Sequence, residues 1–126
     1  GRTQISRVLA HAVKETRTNP VKAVVFIGDC CEEPIDELCH TAGELGMLRT
    51  PVFMFHEGSD AHARAVFQQV SKLSGGAYAP FDRSSPQVLK DLMAAVAVYA
   101  SGGAKALQDF SSRSSPEVKR LTKQIR

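Results

Sequence analysis

Hydrophobic residues along this chain keep two alternating rhythms. Ile5, Val8, Leu9, Ala12 and Val13 recur at helical spacing and put one apolar stripe on one face. Thr3 stands close enough to the first of them to serve as the N-cap. Thr18-Asn19-Pro20 ends the helix, because the residue before a proline resists helical dihedrals. The rhythm then changes. From about 22 to 28 the chain is an unbroken apolar run, Ala23-Val24-Val25-Phe26-Ile27, closing on Gly28 and then Asp29. A run of that length, rich in β-branched residues, suits a strand buried on both faces.

The alternation continues. Acids at Glu32, Glu33, Asp36 and Glu37 crowd the start of a second helix led by Pro34, with Ile35, Leu38, Cys39, Ala42 and Leu45 as its stripe and Gly46 weakening its end. Residues 51–56 form the second buried strand, and 57–60 turn the chain. Ala63, Val66, Phe67, Val70 and Leu73 mark a third helix, stopped by Gly75-Gly76 in the left-handed conformation. Residues 77–81 form a short strand, with Pro80 suggesting an edge. Ser85-Pro86 caps a fourth helix with Val88, Leu89, Leu92, Val96 and Tyr99 facing inward, which runs into Gly102-Gly103 and resumes through Leu107. Ser111 to Pro116 reads as a linker, followed by about two helical turns carrying Val118, Leu121, Thr122 and Ile125. Helices alternating with strands predict an α/β fold: three parallel strands in sequence order, right-handed crossovers and helices on both faces. Residues 1–110 form the domain, and 111–126 a basic linker and short C-terminal helix.

Composition changes this picture little. With 126 residues, 43% hydrophobic and 23% charged, the chain is an ordinary globular domain. No apolar run approaches the roughly 18 residues of a membrane span. No signal segment opens the sequence, and Gly1 in place of an initiator methionine reads as a start inside something longer or after processing. The net charge of +3 is concentrated late: five basic residues and one acid follow position 110, leaving 11 basic and 12 acidic residues before it. The near-neutral body argues against nucleic acid as a partner, and the tail reads as a solvated face. Three cysteines without a framework point to a reducing compartment, by default the cytoplasm.

Asp29 is the main candidate for chemistry. In parallel sheets ligands sit outside the carboxyl ends of the strands. A carboxylate there serves either as a helix cap or as a ligand for a hard divalent ion, and the Thr3 hydroxyl is available as a second oxygen. Gly1-Arg2-Thr3-Gln4 opening a helix, then Val24-Val25-Phe26-Ile27-Gly28-Asp29, then Lys72-Leu73-Ser74-Gly75-Gly76-Ala77-Tyr78 resembles, in order and spacing, the later part of a von Willebrand factor A domain over residues 1 to 107. The resemblance implies a doubly wound sheet with a metal-ion-dependent adhesion site built by three loops. Thr3 matches the threonine of the second loop and Asp29 the aspartate of the third. The first loop, Asp-x-Ser-x-Ser, is absent from this sequence, as are the opening strands. Two oxygens would hold Mg²⁺ poorly, so metal binding by this chain alone is expected to be weak.

The reading is therefore a non-enzymatic protein-interaction module that meets a protein partner at the strand-end rim. The missing opening strand leaves 22–28 as an apolar edge, which predicts self-association, most simply as a two-fold dimer. Two alternatives stand beside it: a small receiver-like or hydrolase-like enzyme centred on Asp29, and a structural piece completed by a partner's strands. Cys30-Cys31 with Cys39-His40 fits zinc poorly, since adjacent cysteines suit one tetrahedral ion badly. His56 and His62 read as turn and cap residues, and no phosphate-binding Gly-x-x-x-x-Gly-Lys-Ser/Thr loop is present.

Overall fold

Three parallel strands, β1 (Val24–Gly28), β2 (Val52–Glu57) and β3 (Ala77–Phe81), pair in the order β1-β2-β3 in a computed structural model that describes residues 5–18 and 21–125. Val24 pairs with Val52 and Gly28 with His56, while Phe53 pairs with Ala77 and Glu57 with Phe81. Parallel neighbours need crossovers, and these are α2 (Ile35–Met47) and α3 (Ala61–Ser74). α1 (Ile5–Thr18) precedes the sheet, and α4 (Pro86–Ser111) and α5 (Pro116–Thr122) follow it. The expected α/β architecture is present.

β2 organises the interior. Val52, Phe53, Met54, Phe55 and His56 are all fully buried. Val52 and Met54 join one apolar cluster with Leu9 of α1, Leu38 and Leu45 of α2, and Val66, Phe67 and Val70 of α3. Phe53 and Phe55 join a second with Leu92 and Val96 of α4 and Val118 and Leu121 of α5. Successive strand side chains point to opposite faces, so each face of β2 has its own core. Each large side chain so buried contributes roughly 1.5–3 kcal/mol.

The caps show which residues end each helix. Asp60 accepts from the Ala63 N–H at 2.9 Å to start α3, and Ser115 caps α5 through the Val118 N–H. Ser85 precedes α4 without making a cap bond. Gly75 takes the predicted left-handed turn (φ 79°), its N–H and that of Gly76 bonding the last carbonyls of α3. α2 passes through Gly46 and ends at Met47, and the chain turns at Arg49 (φ 59°), the one non-glycine residue with positive φ among the described residues. α4 kinks at Gly103 (φ 79°, ψ −169°), where the sequence already breaks.

Several apolar positions depart from their predicted stripes. Val8 is 39% exposed, and Ile35 and Leu73 are exposed as well. The basic segment after residue 110 is not a solvated tail. Val118, Leu121 and Ile125 are buried against β3 and α4, and only its charged face meets water. Leu121→Ala should therefore cost about 2–5 kcal/mol, the range for a core truncation, in a denaturant titration. A loss under about 0.5 kcal/mol would mean that α5 is not part of the core.

Candidate functional site at the strand ends

In a parallel sheet all strand-to-helix loops fall at one end, and here they carry Asp29, Glu32, Glu33, Glu57, Asp60 and Asp82. Asp29 follows the last residue of β1 and is exposed. Thr3, its expected partner, lies outside the described residues. Among the described residues no three His, Cys, Asp or Glu side chains gather in a group that could hold a metal ion. The acids near Asp29 have other work. Glu33 accepts from the Ile5 N–H at 2.6 Å, from the Ser6 N–H at 3.1 Å and from the Ser6 hydroxyl, so it caps α1 across 28 residues of sequence. Glu57 is held by the Arg83 guanidinium at 2.7 Å. Asp60 caps α3. The Asp82 carboxylate accepts from the Ser84 N–H at 2.8 Å, and that bond holds its pKa below the usual carboxylate value. Asp29 alone is one carboxylate, too few for Mg²⁺ among the described residues, since that ion releases its waters reluctantly.

The cysteines do not form a reactive site. Burial pushes the Cys31 thiol up, and its Sγ donates to the Glu33 carbonyl at 3.8 Å. Burial raises Cys39 too, with the Asp36 charge adding to it. Both shifts favour the thiol over the nucleophilic thiolate. None of the three cysteines forms a disulfide.

The histidines part company. His62 is exposed on α3, whereas His56 is fully buried, which corrects its reading as a turn residue. Its Nδ1 lies 2.7 Å from the Tyr78 hydroxyl, and its ring meets Phe67 edge-on at 5.1 Å. The Arg64 guanidinium of α3 acts on the same phenol and opposes the effect of burial on its pKa. Tyr78 and Nδ1 share one hydrogen bond, whose donor is set by the histidine tautomer, and the ring's second nitrogen is Nε2. That nitrogen has no partner among the described residues.

The two edges of the sheet differ. Tyr78 and Pro80 share the parity that points their backbone away from β2. Gln124 accepts from the Tyr78 N–H at 2.9 Å and donates to the Tyr78 carbonyl at 2.9 Å, as a neighbouring strand would. Pro80 has no N–H to offer. The β3 edge is closed. On β1, the Val24 N–H bonds Pro51 across to β2, so Val25 and Ile27 face outward, and among the described residues neither has a backbone partner. Ile27 is 44% exposed. The β1 edge is open, and Asp29 stands at its end.

Compared with known proteins, the chain matches no family model, no curated protein and no solved structure. Its reading therefore rests on its own residues.

The sequence reading missed both Gln124 and the His56–Tyr78 pair, since neither has a local periodicity that would announce it. Tyr78→Phe removes the partner of His56 Nδ1 and should cost about 1–3 kcal/mol. Burial raises the Tyr78 phenol above its ordinary 10.0, so the folded state holds that proton more tightly. The resulting stability is complete below pH 10 and is lost as pH rises through the folded value. Denaturant titrations from pH 8 to 11 should show this loss in the wild type and a shallower one in Tyr78→Phe; parallel curves would exclude Tyr78 as its source.

Proposed function

We propose that this chain is a non-enzymatic protein-interaction module of the von Willebrand factor A kind, completed by strand addition at the open edge of β1. The observation that carries the reading is the contrast between edges. Gln124 and Pro80 close β3, while on β1 Val25 and Ile27 present outward backbone groups and the Ile27 side chain is exposed. An added strand gains ladder hydrogen bonds along such an edge. The simplest occupant is the β1 of a second copy, related by a two-fold axis. A partner's strand would use the same groups, which is the scaffold reading in which another chain supplies the missing part of the sheet.

Asp29 enters this reading as a rim carboxylate beside the added strand. Mg²⁺ would bind there only with further oxygens, from Thr3 and from the incoming segment, and would then bridge to a partner's carboxylate. An enzyme centred on Asp29 is the weaker reading, because Glu33, Asp60 and Glu57 around it are committed to caps and an ion pair. No helix among the described residues is long and apolar enough to cross a membrane. Three cysteines without a disulfide favour a reducing compartment such as the cytoplasm.

Val25→Pro is the selective test, because the lost N–H points away from β2 and a proline is tolerated at an edge. Sedimentation over a concentration series at about 500 mM salt, where exposed ion pairs are screened, should show the wild type forming dimers and Val25→Pro remaining monomeric with an unchanged circular dichroism spectrum. Wild-type protein that stays monomeric throughout, or a variant that pairs equally well, would remove the self-pairing reading. A magnesium titration followed by amide shifts should move Asp29 only weakly; saturation of Asp29 at micromolar Mg²⁺ would show that this chain already holds a complete site.

A further inference from the structure

The opposite end of the sheet has a different character. Helix-to-strand loops gather there, and a groove of about 1030 Å³ lies among them, lined by Met47, Arg49, Lys72, Leu73, Tyr78 and Gln124. A second hollow of about 490 Å³ adjoins it, sharing Arg49 and Tyr99 and adding Lys22. Met47 is 88% exposed, and Leu48 and Leu73 are exposed beside it. Lys22, Arg49 and Lys72 are all exposed, and among the described residues none has an ion-pair partner. Three helix C-termini, those of α1, α2 and α3, also lie at this end, each equivalent to about half a negative charge. The carbonyls of α2 and α3 are bonded by Leu48, Arg49 and Thr50 and by Gly75 and Gly76. Three full cations against about three half-charges leave the groove positive.

The far end of the same molecule is its complement. The first turn of α2 carries Asp36 and Glu37, the loop before it Glu32, and Ile35 stands exposed between them. We propose that the basic, apolar groove at the amino ends of the strands receives the acidic first turn of α2 from a second copy, joining molecules head to tail. Ile35 meets Met47 and Leu73, while Glu32, Asp36 and Glu37 meet Lys22, Arg49 and Lys72. The contact is heterologous, since it joins two different surfaces, and so it propagates into open chains unless a rotation closes it. The left-handed Arg49 fits this role: glycine would hold that backbone without strain, but only a long cationic side chain supplies the charge. This inference is independent of strand addition at β1.

Exposed ion pairs are weak and are screened by salt, so association belongs at low ionic strength and at roughly 0.1–1 mM protein. Sedimentation velocity on Val25→Pro, which removes edge pairing, should show species growing with concentration at about 20 mM salt and dissolving at about 500 mM. Arg49→Glu/Lys72→Glu and Asp36→Lys/Glu37→Lys, each in that background, should be monomeric alone and should associate when mixed. Arg49→Gly should weaken association several-fold while raising the melting temperature, which separates the contact from folding. The inference is overturned if Val25→Pro stays monomeric at 1 mM in low salt, if either charge-reversed variant associates as its parent does, or if the mixture fails to associate. A wild type that pairs only through β1 would lose all association in Val25→Pro, so the two readings fail separately.

Discussion

β2 carries hydrogen-bonded neighbours on both edges and a separate apolar core on each face, and this double occupancy sets the rest of the structure. A strand with no free side can have no polar surface, which is why Val52 to Phe55 are uniformly apolar and why Pro51 and Thr50 before them are also buried. Its first N–H is taken by the Ser74 hydroxyl at 3.0 Å, and that hydroxyl donates in turn to the Ser71 carbonyl at 3.0 Å. The end of α3 is thereby tied to the start of β2. The next residue after the turn, Gly76, fits so closely against the Val52 carbonyl that a Cβ would collide with it. One polar side chain is buried in β2, and His56 is admitted there only because Tyr78 on the neighbouring strand supplies its partner.

Parallel pairing then sorts the charges. Each crossover returns the chain to the same end, so acids placed after strands and bases placed before them separate without any long-range design. Asp29, Glu57 and Asp82 fall at one end, and Lys22 and Arg49 at the other. Most of the acids are then consumed locally. Glu33 shows this best: it satisfies the first described N–H groups of α1, a service the sequence assigned to Thr3. A carboxylate that holds a helix start is a poor metal ligand, because the same lone pairs cannot serve both, and Asp29 and Glu32 are left as the exposed acids of that loop.

How much of this could be read beforehand follows from how local each signal is. The alternation of 3.6-residue and continuous apolar segments placed all three strands and the four longer helices, because periodicity is a property of neighbouring residues. Gly75 and Gly103 marked a helix end and a kink for the same reason. What failed was nonlocal. The Gln124 carboxamide lies 46 residues from Tyr78, and Glu33 lies 28 from Ile5. Val8, Ile35 and Leu73 keep perfect helical spacing yet are exposed, since spacing gives a face but not how far the neighbouring element covers it. At the candidate site, Asp29 was legible from its place after the apolar run, but its setting was not: acids close in sequence were already spoken for by partners distant in it.

The unequal edges constrain what strand addition can build. A sheet with two open edges can add strands at both and grow into a ribbon, which is the route to aggregation. Here two hydrogen bonds from Gln124, each contributing about 0.5–1.5 kcal/mol, occupy the outward groups of Tyr78, and the next outward position is a proline. The segment that carries Gln124 is itself anchored by Leu121 and Ile125 in the core. Displacing it would expose that apolar surface, so the seal at β3 is held by far more than its own two bonds. The proposed addition is thereby confined to β1. With one receptive edge per molecule, such pairing would stop at a six-stranded sheet of two copies, because the pair would present only sealed edges to any third.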